Sequence, residues 1–268
     1  MPSFHASDRS ALTKGYELVE KIAVGGTSDV YLAHPPNSDE LVVLKISELS
    51  SQSEQEILST LHHPNIVRLL DSFETEEHRC LILERAIGST LRDLMKPNKP
   101  WPVQRAYPVL RAISSALAYL HRNNVLHLDL KPENVLLEER KSTLKLADFG
   151  LALSREEAAM PRELKDAMGS LDYAAPEQRF GLPMDERTDV YALAALTYEL
   201  LTGRIAGRVY TPLSDRSVNL PYAVDALLRA GLARNVEDRP TGILVFQHEL
   251  NLALQRVLSS MELPDFVI

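Results

Sequence analysis

Apolar and polar positions fall into short runs along the first third of the chain, at Tyr16 to Val24, Val30 to Ala33, Leu41 to Ile46, Ile66 to Phe73 and Cys80 to Leu83. Runs of this length, rich in β-branched residues, predict strands. One helical stretch interrupts them. Ile57, Leu58 and Leu61 recur at helical spacing after the polar segment Ser50 to Glu56, and His63-Pro64-Asn65 ends it. After Gly88 the period changes. Leu110, Ile113, Leu117 and Leu120 mark one amphipathic helix face, Val190 to Leu201 reads as a helix buried all round, and Ala226 to Ala233 and Gly242 to Leu258 add two more. No internal repeat or low-complexity linker divides the chain. The pattern predicts an α+β protein with a β-rich front lobe and a helical back lobe joined around Glu84 to Gly88, and a cleft between lobes is a natural ligand site.

Composition adds limits. The chain has 268 residues, of which 45% are hydrophobic and 25% charged, as in ordinary soluble globular proteins. A net charge of -8 argues against nucleic acid or an anionic membrane as the main partner, since such binding rests on clustered Lys and Arg. Any phosphate site must then rely on local cations and metal. The single cysteine, Cys80, sits in an apolar run and cannot form an internal disulfide, which fits a reducing compartment and a core position. Met1 to Ser10 is polar and holds no secretory hydrophobic stretch; the longest apolar segment, Val190 to Leu201, is twelve residues long and contains Glu199. A cytoplasmic protein without a membrane span is expected.

Candidate chemistry lies in a series of segments. Ile22-Ala23-Val24-Gly25-Gly26-Thr27-Ser28-Asp29-Val30 is a glycine-bearing turn between two strand patterns. Leu41-Val42-Val43-Leu44-Lys45-Ile46 places a lysine on an apolar strand, which taken alone reads as an edge-strand charge that blocks aggregation. Leu126-His127-Leu128-Asp129-Leu130-Lys131-Pro132-Glu133-Asn134-Val135 is a polar loop between apolar runs, and Asp148-Phe149-Gly150 follows it. Further on come Ala175-Pro176-Glu177, Asp189 at the head of the buried helix, and Glu237-Asp238-Arg239-Pro240-Thr241.

Taken in this order, the segments resemble those of the eukaryotic-like (Hanks-type) protein serine/threonine kinases, in the form of their bacterial members, over about residues 16 to 258. The resemblance implies an N-terminal extension at 1–15, a kinase domain at 16–258 with N-lobe 16–84, hinge 84–88 and C-lobe 89–258, and a tail at 259–268. It implies ATP with Mg²⁺ or Mn²⁺ as cofactors and a protein as substrate. Ala23, Val24, Gly25, Gly26 and Val30 would cover ATP, and Leu83, Glu84 and Ala86 would line its adenine pocket. Lys45 would hold the α- and β-phosphates, paired with a glutamate on the next helix. Counting back from His63-Pro64-Asn65 selects Glu54, with Glu56 as competitor on another face. Asp129 would take or orient the substrate hydroxyl proton, Lys131 would neutralise the γ-phosphate, and Asn134 and Asp148 would hold the metal. His127 is expected to be a buried structural group. Glu177 would pair with Arg239, and the Ser170 hydroxyl would contact Asp129 and Lys131. Lys131 in this loop also points to serine/threonine specificity.

The departures from the family pattern are informative. Ala23 and Ser28 stand where glycines are usual, and Leu128 replaces the arginine that grips a phosphorylated activation segment. Between Gly150 and Glu177 the hydroxyl-bearing residues are Ser154, Ser170 and Tyr173. Activity without activation-segment phosphorylation is therefore expected, leaving control to a regulatory protein partner or to expression. Ser154-Arg155-Glu156-Glu157 reads either as a capping box opening a short helix or as a charged loop. Nine positions separate Lys45 from Glu54, so the helix carrying Glu54 should lack its first turns; fifty separate Asp189 from Arg239, so the substrate-docking helix common there should be reduced. The alternatives are a pseudokinase acting as a nucleotide-binding or scaffold module, and a small-molecule kinase. The second lacks the Ala175-Pro176-Glu177 segment and its arginine.

Overall fold

The computed structural model describes residues 14–24, 28–49, 52–138, 143–161, 172–207, 210–216 and 220–259. The chain is α+β and divides into two compact units, the described residues up to His62 with Val67–Ala86, and His63–Ile66 with the described residues from Ile87 onwards.

The first unit is an antiparallel sheet of β1 (Glu17–Val24), β2 (Ser28–His34), β3 (Val42–Glu48), β4 (Leu69–Glu74) and β5 (His78–Leu83), in the order β1-β2-β3-β5-β4. One helix, α1 (Gln52–Thr60), follows β3. Ala33, Val42, Leu44, Phe73, Cys80 and Ile82 form its apolar core. Burial there pushes the Cys80 thiol up to about 11, which makes it a core group. Strand β3 lies inside the sheet between β2 and β5, and Lys45 on it is buried, so the edge-strand reading of this lysine does not hold. Strand β4 starts at Leu69, later than the apolar run suggests. Ile66 bridges Leu146 of the second unit, because the turn closed by Ile66 N to His63 O draws this short stretch out of the sheet.

The second unit begins with α2 (Leu91–Leu94) and α3 (Val103–Arg122). Two small ribbons follow, β6 (Val125–Leu126) with β9 (Leu153–Ser154), and β7 (Val135–Glu138) with β8 (Thr143–Leu146). Then come α4 (Arg155–Ala158), α5 (Pro176–Arg179), α6 (Glu186–Thr202), α7 (Tyr222–Gly231) and α8 (Ile243–Ser259). Helix α6 is buried on every face from Thr188 to Thr202. Asp185 caps it by accepting from Arg187 N, and Gly203 ends it at φ +68. Glycine is required at 203: a Cβ there would lie 2.4 Å from Lys99 N.

Ser154 and Glu157 form the capping box, and the helix it opens is one turn, α4. Between Gly203 and Leu220 the described residues hold a single 3₁₀ turn, Ser214–Arg216. Among the described residues no helix is long and apolar enough to cross a membrane.

Candidate active site

In the first unit, the register sets Lys45 opposite Val30 on β2 and Leu81 on β5. Lys45 Nζ lies 2.7 Å from Glu54 Oε1, with the two residues only 6% and 2% exposed. Glu54 stands in the first turn of α1, where helix N–H groups favour a carboxylate, and Glu56 lies on the exposed side. Ala23 is exposed near the end of β1. Gly25 and Gly26 lie outside the described residues, and so does the Val24 side chain. Leu83 is buried at the end of β5. Glu84 N donates to Arg68 O and its carboxylate accepts from Arg68 N, which fixes the chain just before the half-buried Ala86.

In the second unit, the loop between β6 and β7 gathers three polar side chains. Lys131 Nζ is 2.6 Å from Asp129 Oδ2, and Asn134 Nδ2 donates both to Asp129 O at 2.8 Å and to its Oδ2 at 2.9 Å. With its amide hydrogens so used, Asn134 keeps its oxygen as an acceptor. Among the described residues no group of three His, Cys, Asp or Glu side chains gathers to hold a metal. A divalent ion at Asn134 and Asp148 would therefore complete its shell from phosphate and water oxygens, as Mg²⁺ does, and the hard oxygen donors fit it. Asp148 is exposed and has left-handed backbone, φ +61. Ser170 lies outside the described residues.

Leu128 is also left-handed, at φ +61, a conformation costing roughly 1–3 kcal/mol for a residue with a side chain. Its surroundings over-determine it. Asp189 Oδ2 accepts from His127 N and Oδ1 from Leu128 N, each at 2.9 Å, while Gln178 Nε2 donates to Leu128 O at 2.7 Å. His121 Nε2 adds a bond to Asp189 Oδ2 at 2.8 Å. Burial pushes the Asp189 carboxyl up, but the bonds from His121 and His127 outweigh it and hold the group below the ordinary carboxylate range. A depressed folded pKa contributes stability above the unfolded value, about 3.9, that is lost as pH falls through the folded value. Asp189→Asn should accordingly flatten the acid limb of the stability–pH curve while lowering stability at pH 7; urea titrations at pH 3 to 7 would measure both.

His127 is fully buried, and its Nδ1 accepts from Asp129 N at 3.3 Å. Burial lowers its pKa, against the pull of Asp189, Asp129 and Asp148, so the ring is neutral and packs edge-on against Phe149. It positions the loop.

Glu177, in the first turn of α5, receives a two-pronged bond from Arg239, Nη1 to Oε1 at 2.7 Å and Nη2 to Oε2 at 2.8 Å, and a third donor from Thr188 Oγ1. A second charged group carries no sequence signal. Arg92 on α2 bonds Glu133 of the loop at 2.7 Å, Glu199 of α6 at 2.7 Å and the Tyr173 hydroxyl at 2.6 Å, and Tyr173 donates to Glu199 in turn.

A β-sheet unit with a buried lysine–glutamate pair, followed by a helical unit whose loop clusters Asp129, Lys131 and Asn134, has the parts of a protein kinase domain. Comparison with known proteins agrees. The protein kinase domain profile matches residues 16–249. The chain is 32% identical over 214 residues to the serine/threonine-protein kinase pkn2 of Myxococcus xanthus, covering 75% of this chain and 26% of that protein. It is 32% identical over 200 residues to PrkC of Bacillus subtilis, covering 71% and 31%, and 31% identical over 282 residues to PknL of Mycobacterium tuberculosis, covering 96% and 69%. The chain thus spans under a third of the length of pkn2 and PrkC. It belongs to the protein kinase family, among eukaryotic-like kinases of bacterial type.

Proposed function

We propose that the chain is an ATP-dependent protein serine/threonine kinase, and the observation that carries this reading is the Asp129–Lys131–Asn134 cluster. Asp129 orients the substrate hydroxyl and takes its proton as that oxygen bonds the γ-phosphorus and the bond to ADP breaks. Lys131 offsets charge on the transferred group. Lys45, held by Glu54, neutralises the α- and β-phosphates, and Asn134 and Asp148 hold Mg²⁺. When bound, Mg²⁺ neutralises charge on the phosphate oxygens. Cytoplasmic placement, protein substrates and serine/threonine specificity belong to the same proposal; the names of the relatives support the last two. Incubation with labelled ATP, Mg²⁺ and a generic protein, followed by phosphoamino-acid analysis, should yield phosphoserine and phosphothreonine. Phosphotyrosine alone, or no incorporation, would sink the reading.

Activity without activation-segment phosphorylation is part of the proposal. Leu128 is buried in a cluster with Leu126, Leu153, Ala158 and Met184, so the place of a phosphate-gripping cation holds an apolar contact. Phosphatase treatment of the purified protein should leave its initial rate unchanged; loss of turnover would refute this. The scaffold alternative draws on Ala23, Ser28 and Leu128, but the presence of Lys45, Asp129, Asn134 and Asp148 together favours turnover.

A further inference from the structure

We propose that a cavity of about 350 Å³ beside the C-terminal end of α6 is a docking site for an acidic segment of a protein substrate, one in which an apolar side chain lies between carboxylates. The apolar part of its wall comes from Trp101, Leu200 and Ile205, the last 41% exposed. The wall is fastened in place. Trp101 N donates to Leu200 O at 2.7 Å, Asn98 N donates to Gly203 O at 2.8 Å, and the two chain segments meet so closely that residue 203 has no room for a side chain. The Arg105 guanidinium stacks 3.8 Å from the Trp101 ring centroid.

The charged part of the wall is one-sided. Lys96, Lys99 and Arg204 are exposed, and their side chains make no ion pair or hydrogen bond among the described residues. The carboxylate in the lining is that of Glu199, 5% exposed and already bonded to Arg92 and Tyr173. A chain of net charge -8 has therefore gathered unpaired cations around an apolar hollow. Nucleic acid would satisfy the cations and leave the hollow unused; a peptide with carboxylates flanking a Leu or Phe side chain satisfies both. Arg92, which also lines the cavity, bonds Glu133, next to Asn134 in the catalytic loop. An occupant is thus held beside the loop that acts on substrate.

The inference rests on the protein kinase reading only for naming the partner a substrate, and binding is measurable without turnover. Trp101 is the only tryptophan of the chain, so its fluorescence reports the cavity directly. Titration with the peptide DELFDEL should shift Trp101 emission saturably, with affinity falling as salt rises, and the counterpart KKLFKKL should not. The triple reversal Lys96→Glu, Lys99→Glu, Arg204→Glu should weaken binding at least about tenfold. Ile205→Ser, which leaves the charges intact, should weaken it less, and both variants should keep the parent's circular dichroism and melting temperature. Appending DELFDEL to a phosphorylated peptide should lower its KM and leave kcat unchanged, an advantage the triple variant loses. No saturable shift, or equal binding of KKLFKKL or an oligouridine, overturns the docking site. Binding without phosphorylation of any substrate keeps it and overturns the kinase reading.

Discussion

Asp129→Asn should lower kcat by about 10²–10⁴-fold, the usual contribution of a positioned general base, with melting temperature and ATP affinity close to those of the parent. The reason is local. Asparagine keeps the volume of Asp129 and can still accept a bond from Lys131, but it can neither carry the charge that holds Lys131 Nζ at 2.6 Å nor take up a proton. Asn134 donates to the Asp129 backbone carbonyl as well as to its carboxylate, so one of its bonds survives and the loop stays in place. Steady-state kinetics with a protein substrate, beside nucleotide titration and thermal melting, separates lost chemistry from lost structure. A variant as active as the parent would remove Asp129 from the reaction and the kinase reading with it.

Arg239→Met should destabilise the second unit by about 3–5 kcal/mol, the range for breaking a buried ion pair at one partner. Both residues are 4% exposed, and without the guanidinium Glu177 keeps, among the described residues, only Thr188 Oγ1 as a side-chain donor. The same substitution removes bonds from Arg239 to Ala233 O and Arg187 O. At about 2–4 °C per kcal/mol for a unit of this size, the melting temperature should fall by on the order of 10 °C. The double variant Glu177→Leu, Arg239→Met should recover part of the loss, because the stranded charge is then gone. Thermal melts of the parent and three variants form the cycle. An unchanged melt for Arg239→Met would mean that the pair holds nothing.

What could be read from the sequence was what short-range pattern encodes. The apolar runs Leu41 to Ile46 and Cys80 to Leu83 form strands whose Leu44, Cys80 and Ile82 lie in the core, and counting back from His63-Pro64-Asn65 was enough to choose Glu54 over Glu56 as the partner of Lys45. Elements of two to four residues, such as α2 and the β7–β8 ribbon, are too brief to show a period, and Ile66 left the sheet for a partner eighty residues on. The Arg92 cluster joins residues up to 107 positions apart, a distance at which spacing carries no information. Asp189 was recognisable as the head of a buried helix, but nothing local shows that it clamps the left-handed Leu128. Gln178 gave no sign of its bond to Leu128 O.

The exchange of an arginine for Leu128 changes what can loosen the start of the segment after Phe149. An ionic grip on a phosphate is undone by a phosphatase and weakened by salt. The packing of Leu128 against Leu153 and Ala158 answers to neither. Its strength comes from excluding water, which fades as temperature falls. Cooling therefore loosens the contact of Leu128 with Leu153 and Ala158, where a phosphatase would not.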